Sequence, residues 1–296
     1  MRGVLNGGML VNPLPGTERT VLDAALDYLL NKLHNIVGGG GGTMAVQRAF
    51  AYIEWVHEAR RRLYNLIRPA ELEPLLGLRS YETILAATVP FGGPGGERVL
   101  NGLVSTELTE RVTVFEQAIR NLKERVDQLY RAGVLVVLDT NVYLHYPQEL
   151  HEIDLRQDLG LREEPIHILV PMAVVDELDG KKQHQNKDTR RRARLVTAKI
   201  EQVARDGGRL REEDHSPLNS GGIPRGEITL NVVFDPPGHT RLSITDDEIV
   251  DRAATLQTLA GRRIRLLTYD TGMAMRGRNA GLNVHKLQHS KADDGK

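Results

Sequence analysis

Apolar positions recur at helical spacing through the first part of the chain and gather into short solid runs through the rest. Leu22, Leu26, Leu29, Leu33 and Ile36 stand three or four residues apart, which makes one apolar stripe and predicts a helix from Thr17. The glycines within 38–43 stop it, because consecutive glycines lose too much backbone entropy to stay helical, and they predict a flexible linker. Met44–Ile67 reads as a second amphipathic helix ended by Pro69, and "PFGGPGGE" at 90–97 as a loop. Thr106–Ala132 reads as a long helix with Phe115, Ile119, Leu122, Val126 and Leu129 on one face. Residues 1–16, rich in Gly, Pro and Asn, read as loose. The pattern over 1–133 is therefore a mostly α-helical N-terminal region.

The texture changes at Gly133. Val134–Leu138 is a fully apolar, β-branched run, as a strand buried on both faces should be, Ile166–Val170 reads as a second strand, and Ile264–Thr268 and Asn283–Leu287 read as two more. A helix starting near Pro171 is expected to run to about Arg205, with others over Asp246–Ala260 and Thr271–Ala280. Residues 207–245 read as an insertion in which Glu227–Phe234 and Thr240–Thr245 flank "DPPGH" as a hairpin. The charged tail at 289–296 reads as disordered. Strands alternating with helices predict an α/β domain over 134–288, three-layer α/β/α with a central parallel sheet.

Composition narrows the chemistry. The chain has 296 residues, 40% apolar and 26% charged, and so reads as soluble and globular. Net charge is zero, so any signal for nucleic acid has to be local. There is no cysteine, which excludes disulfides, thiolate zinc sites and a cysteine nucleophile. No run approaches the roughly 18 apolar residues of a membrane span, and the start lacks a signal-peptide core, so the expectation is a cytoplasmic protein with no membrane partner.

Four acids fall where an open parallel sheet places its ligands, beyond the carboxyl ends of the strands. Asp139 follows the first strand, Glu177 lies about two helical turns after the second, Asp246 opens the helix before the third, and Asp270 follows the third. Each has a plainer reading. Asp139 and Asp270 are ordinary turn formers, Glu177 has Asp176 and Asp179 beside it on a solvated face, and Thr245 with Glu248 spells a capping box that accounts for "TDDE" alone. Their conjunction carries the argument. Carboxylates sharing a cleft repel one another unless a cation joins them, and an oxygen-only donor set suits Mg²⁺ or Mn²⁺. Such a site fits phosphoryl chemistry.

These residues resemble the motifs of the PIN-domain nucleases. "VVLDTNVYL" is similar to the first motif of that family, "ILVPMAVVDELDGKK" to the second, "TDDEIVDRA" to the third and "LLTYDTGMAMRGRNAGLNV" to the fourth, in the right order over about 134–288. The resemblance implies a metal-dependent ribonuclease fold in which Asp139, Glu177, Asp246 and Asp270 hold Mg²⁺ or Mn²⁺ and activate water. It also implies that Asn141 and Thr268 orient those carboxylates. It selects Asp246 over Asp247. The long 207–245 insertion resembles the larger stand-alone members rather than the small toxin nucleases.

The only dense basic run, "GKKQHQNKDTRRRARLVTAK", starts a few residues past Glu177. Lys181, Lys182, Arg190, Arg191 and Arg194 are the expected contacts to a single-stranded RNA backbone, with Arg276 and Arg278 in the same groove. The plainer reading is a solvated helix face. Two other functions stay open on sequence alone. One is a catalytically silent scaffold that binds RNA or a protein; the N-terminal helices could serve a protein partner or a homodimer. The other is a haloacid-dehalogenase-like phosphatase, against which Asn141 counts, because that chemistry wants an aspartate two residues after the first.

Overall fold

The computed structural model describes residues 11–39, 44–91, 95–216, 219, 223–236 and 239–288. Residues 1–10 of the expected loose start, most of the 38–43 linker and the 289–296 tail lie outside the described residues. The chain forms two compact units, Met1–Leu129 and Tyr130–Lys296.

The first unit is helical: α1 (Arg19–Gly38), α2 (Ala45–Leu63), α3 (Pro69–Leu76), α4 (Leu78–Phe91) and α5 (Glu97–Leu129). The stripe read from the sequence is its core: Leu22, Leu26, Leu29 and Leu33 meet Trp55 and Phe115 in the fully buried set. Two expectations are corrected here. Pro69 does not merely end a helix; it stands at the start of α3, where its missing N–H is not needed. Nor are residues 11–14 loose. Asn12 is buried, its amide N–H and side chain donate to both oxygens of Glu71, and Pro13 bridges to Ile67. A polar centre ties three helices. Glu107 and Arg111 of α5 form a buried ion pair at 2.7 Å, Tyr52 of α2 donates to Glu107, and Arg111 donates to the carbonyls of Pro74 and Leu75 at the end of α3. Gly77 closes α3 with φ of 63°, and a Cβ there would lie 2.3 Å from Glu107 Oε1, so the position needs glycine on both counts.

The second unit runs β1 (Val134–Leu138), α6 (Thr140–His145), α7 (Arg156–Leu159), β2 (Ile166–Pro171), α8 (Met172–Lys181), α9 (Lys187–Arg205), β3 (Arg209–Arg211), β4 (Ile228–Val233), α10 (Thr245–Ala260), β5 (Arg265–Thr268), α11 (Thr271–Asn279) and β6 (Asn283–Lys286). The sheet order is β3-β4-β2-β1-β5-β6. All pairings are parallel except that of β3 with β4. The expected helix from Pro171 to Arg205 is two helices, because Asn186 accepts from the N–H groups of Asp188 and Thr189 and starts α9 anew.

The expected hairpin is absent. β4 pairs parallel with β2 on one side and antiparallel with β3 on the other, which leaves no free edge for Thr240–Thr245. The capping box is absent too. α10 starts at Thr245, and the Glu248 carboxylate reaches past it to the Leu242 N–H at 2.9 Å.

Candidate metal and nucleic-acid site

In a parallel sheet the helices that follow strands begin at the strands' carboxyl edge. This puts Asp139 immediately before α6, Asp246 in the first turn of α10 and Asp270 at the N-cap of α11, with Glu177 in α8. β1 is central and the chain passes to β2 on one side and β5 on the other, so Asp139 stands at the topological switch point.

Register does the rest. Leu138 is level with Leu267, and the Asp139 N–H donates to the Leu267 carbonyl at 3.0 Å. Thr268 therefore lies beside Asp139, and its fully buried hydroxyl donates to Asp139 Oδ2 at 2.8 Å while accepting the Asp270 N–H at 2.9 Å. The buried Thr140 hydroxyl donates to Glu177 Oε2 at 2.7 Å. Thr268 thus orients a carboxylate. Asn141 is half-buried and its side chain makes no hydrogen bond to the described residues; Thr140 beside it orients the carboxylate instead. Asp270 Oδ1 accepts from the Met273 N–H and caps α11.

The carboxylates feel one another. Burial pushes the Asp139 carboxyl up to about 6; the Thr268 hydroxyl opposes this, and the charges of Asp246 and Glu177 add to it. Burial raises Asp246 as well, with Arg276 opposing and Asp270, Glu177 and Asp247 reinforcing. The four acids thus lie near enough at this edge to act on one another's charge, Asp246 influencing Asp139 and being influenced by Asp270 and Glu177. The donors are all oxygens, which suits a hard divalent cation. They are spread along this edge rather than clustered: no three of the four bring ligand oxygens within 4.8 Å of one another.

Among the described residues, the trio that does so is Asp235, His239 and Glu248. That trio already holds its own partners. His239 Nε2 lies 2.7 Å from Glu248 Oε1, Arg252 Nε lies 3.3 Å from the same oxygen, and Arg241 spans Asp235 and Asp176. It straps the segment before α10 onto α8.

The basic candidates divide. Lys181 leans on Glu177 at 3.9 Å, Lys182 pairs with Asp179, and Arg190 donates to the carbonyls of His184 and Gln185. Arg276 pairs with Asp246 at 3.2 Å and Asp247 at 2.9 Å. Arg191 and Arg194 are exposed on α9 with no ion pair to the described residues, as are Lys187 before them and Arg278 on α11. Lys187, Arg191 and Arg194 follow a spacing of four and three, so they form one stripe along the helix.

Sequence reasoning missed Thr140 and the strap built on Glu248. Thr140 was within reach, since a hydroxyl directly follows the strand end; the strap was not, since its members are brought together only by the fold. A family model described as PIN domain matches residues 136–288, more than half of the chain. No curated protein matches it.

Proposed function

Since the chain belongs to the PIN domain family, whose members are generally nucleases, we propose that it is a metal-dependent endoribonuclease that hydrolyses single-stranded RNA. The observation that carries this reading is the ring of Asp139, Glu177, Asp246 and Asp270 at one sheet edge, two of them held by threonine hydroxyls. These four would hold Mg²⁺ or Mn²⁺. When bound, such an ion supplies the charge that polarises a phosphate and activates water.

The chain's own residues supply orientation. Thr268 fixes Asp139 and Thr140 fixes Glu177, so both carboxylates are set before substrate arrives. Asp139, drawn up to about 6 by burial, can carry a proton on its carboxylate while the cleft lacks a cation and releases it when one enters. Lys187, Arg191 and Arg194, exposed along α9, would follow backbone phosphates, with Arg278 beyond Asp270. No aromatic side chain interleaves with that stripe, so the contact reads charge rather than base identity.

The test is to incubate purified protein and its Asp139→Asn variant with labelled single-stranded RNA and Mn²⁺ or Mg²⁺. Metal-dependent cleavage by the parent alone is expected. Cleavage that survives the substitution overturns the site, and binding by the parent without turnover leaves a silent scaffold.

A further inference from the structure

Arg276 was expected to face RNA, yet its guanidinium is turned onto the acids. Nη1 donates to Asp246 Oδ2 at 3.2 Å and Nε lies 2.9 Å from Asp247 Oδ1. It is the only cation ion-paired to Asp246 among the described residues, and Lys181, near Glu177, is the only other one paired to any of the four acids. Neither side of the Arg276–Asp246 pair is locked in. Arg276 is 39% exposed and Asp246 37%. Gly272 packs beside the pair: a Cβ there would stand 3.1 Å from Arg276 Nη1 and 3.1 Å from Asp270 Oδ1.

We infer that Arg276 is a displaceable counter-ion. In the metal-free protein it neutralises Asp246, and it gives up that carboxylate when a divalent cation takes it, staying tethered by Asp247. The inference rests on the carboxylate-site reading given above. Its physical basis is that a guanidinium and a divalent ion cannot share one carboxylate without repulsion, so the arginine competes with the metal. It also offsets the repulsion between Asp246 and Asp247.

The test is a direct Mn²⁺ titration of the full chain without RNA, by calorimetry or by the electron-spin signal of free Mn²⁺. Arg276→Ala and Arg276→Gln are expected to bind Mn²⁺ on the order of tenfold more tightly than the parent, and Arg276→Lys close to the parent. Retention of parent-like affinity in the lysine variant separates a charge effect from a structural one. Asp139→Asn serves as the control for the site. Unchanged or weaker Mn²⁺ affinity in Arg276→Ala and Arg276→Gln, while Asp139→Asn still abolishes binding, overturns the counter-ion role and leaves the site intact. A parent that binds no Mn²⁺, or an Asp139→Asn variant that binds as well as the parent, overturns the site and the counter-ion role together.

Discussion

Replacing Asp139 with asparagine should make the metal-free protein more stable, although it removes the residue on which the proposed chemistry depends most. Asp139 is 3% exposed, so solvent does little to screen it. Its carboxyl is raised from the ordinary 3.8 to about 6, mainly by burial. At about 1.36 kcal/mol per unit, keeping it ionised in the fold costs about 3 kcal/mol at neutral pH. Asparagine is nearly the same size and keeps an oxygen for the Thr268 hydroxyl. The pH dependence has a definite sign. Between 3.8 and about 6 the folded state binds more protons than the unfolded one, so the parent loses stability as pH rises through that window. The Asp139→Asn variant lacks this loss. With chelator present, its unfolding midpoint should exceed the parent's by about 6–12 °C at about pH 7.5, which is ~3 kcal/mol at about 2–4 °C per kcal/mol for a unit of this size, and the gap should close by about pH 4. Thermal or urea denaturation from about pH 4 to about pH 8 measures it. A variant less stable than the parent at neutral pH, or a gap that widens in acid, would refute the reasoning.

Three further outcomes follow from the structure. His167 is buried with Nε2 on the Ala132 carbonyl at 2.7 Å, and burial lowers its pKa, so this group alone costs stability as pH falls below about 6.5, opposite in sign to Asp139; the urea midpoint of a His167→Gln variant should rise relative to the parent's on going from about pH 7 to about pH 5. Gly133→Ala should destabilise the second unit by more than about 1 kcal/mol, because φ there is 112° and a Cβ would stand 2.3 Å from the Pro165 carbonyl oxygen; chemical denaturation reads this directly, and parent-like stability would contradict it. Changing Arg191 and Arg194 to Gln should lower the slope of log affinity for single-stranded RNA against log salt by about 0.7 for each phosphate that is no longer neutralised; an unchanged slope would take α9 out of the binding path.

The central strands were readable in the sequence because parallel strands covered on both faces have no polar side to write, and "VLVVL" and, apart from His167, "IHILV" say so within a single short run each. The acids at their ends were readable for the same topological reason, since the start of each following helix has to lie at one sheet edge. The misreadings have a common cause. "TRLSIT" alternates like a strand, but no edge of β4 is free to receive it. Thr245 and Glu248 have the spacing of a capping box, but Glu248 is claimed by Leu242, His239 and Arg252. Arg276 looked free because its partners lie 30 and 29 positions earlier. Local pattern shows what a residue can do, and long-range competition for partners decides which of those things it does.

The ion pair at the centre of the helical unit has a consequence for how that unit assembles. Apolar stripes on α1, α2 and α5 are repetitive, and leucines a turn apart are interchangeable as far as burial goes. Glu107 and Arg111 are not, since they are 5% and 9% exposed and have partners at one position only: the Tyr52 hydroxyl for the acid, and the last carbonyls of α3 for the base. If α5 slid by one turn, the two would still hold each other but would lose the Tyr52 hydroxyl and the α3 carbonyls, leaving buried donors of the guanidinium unbonded at a cost of about 1–3 kcal/mol each. The pair therefore acts as a register pin, selecting one alignment among several that the leucines alone would tolerate.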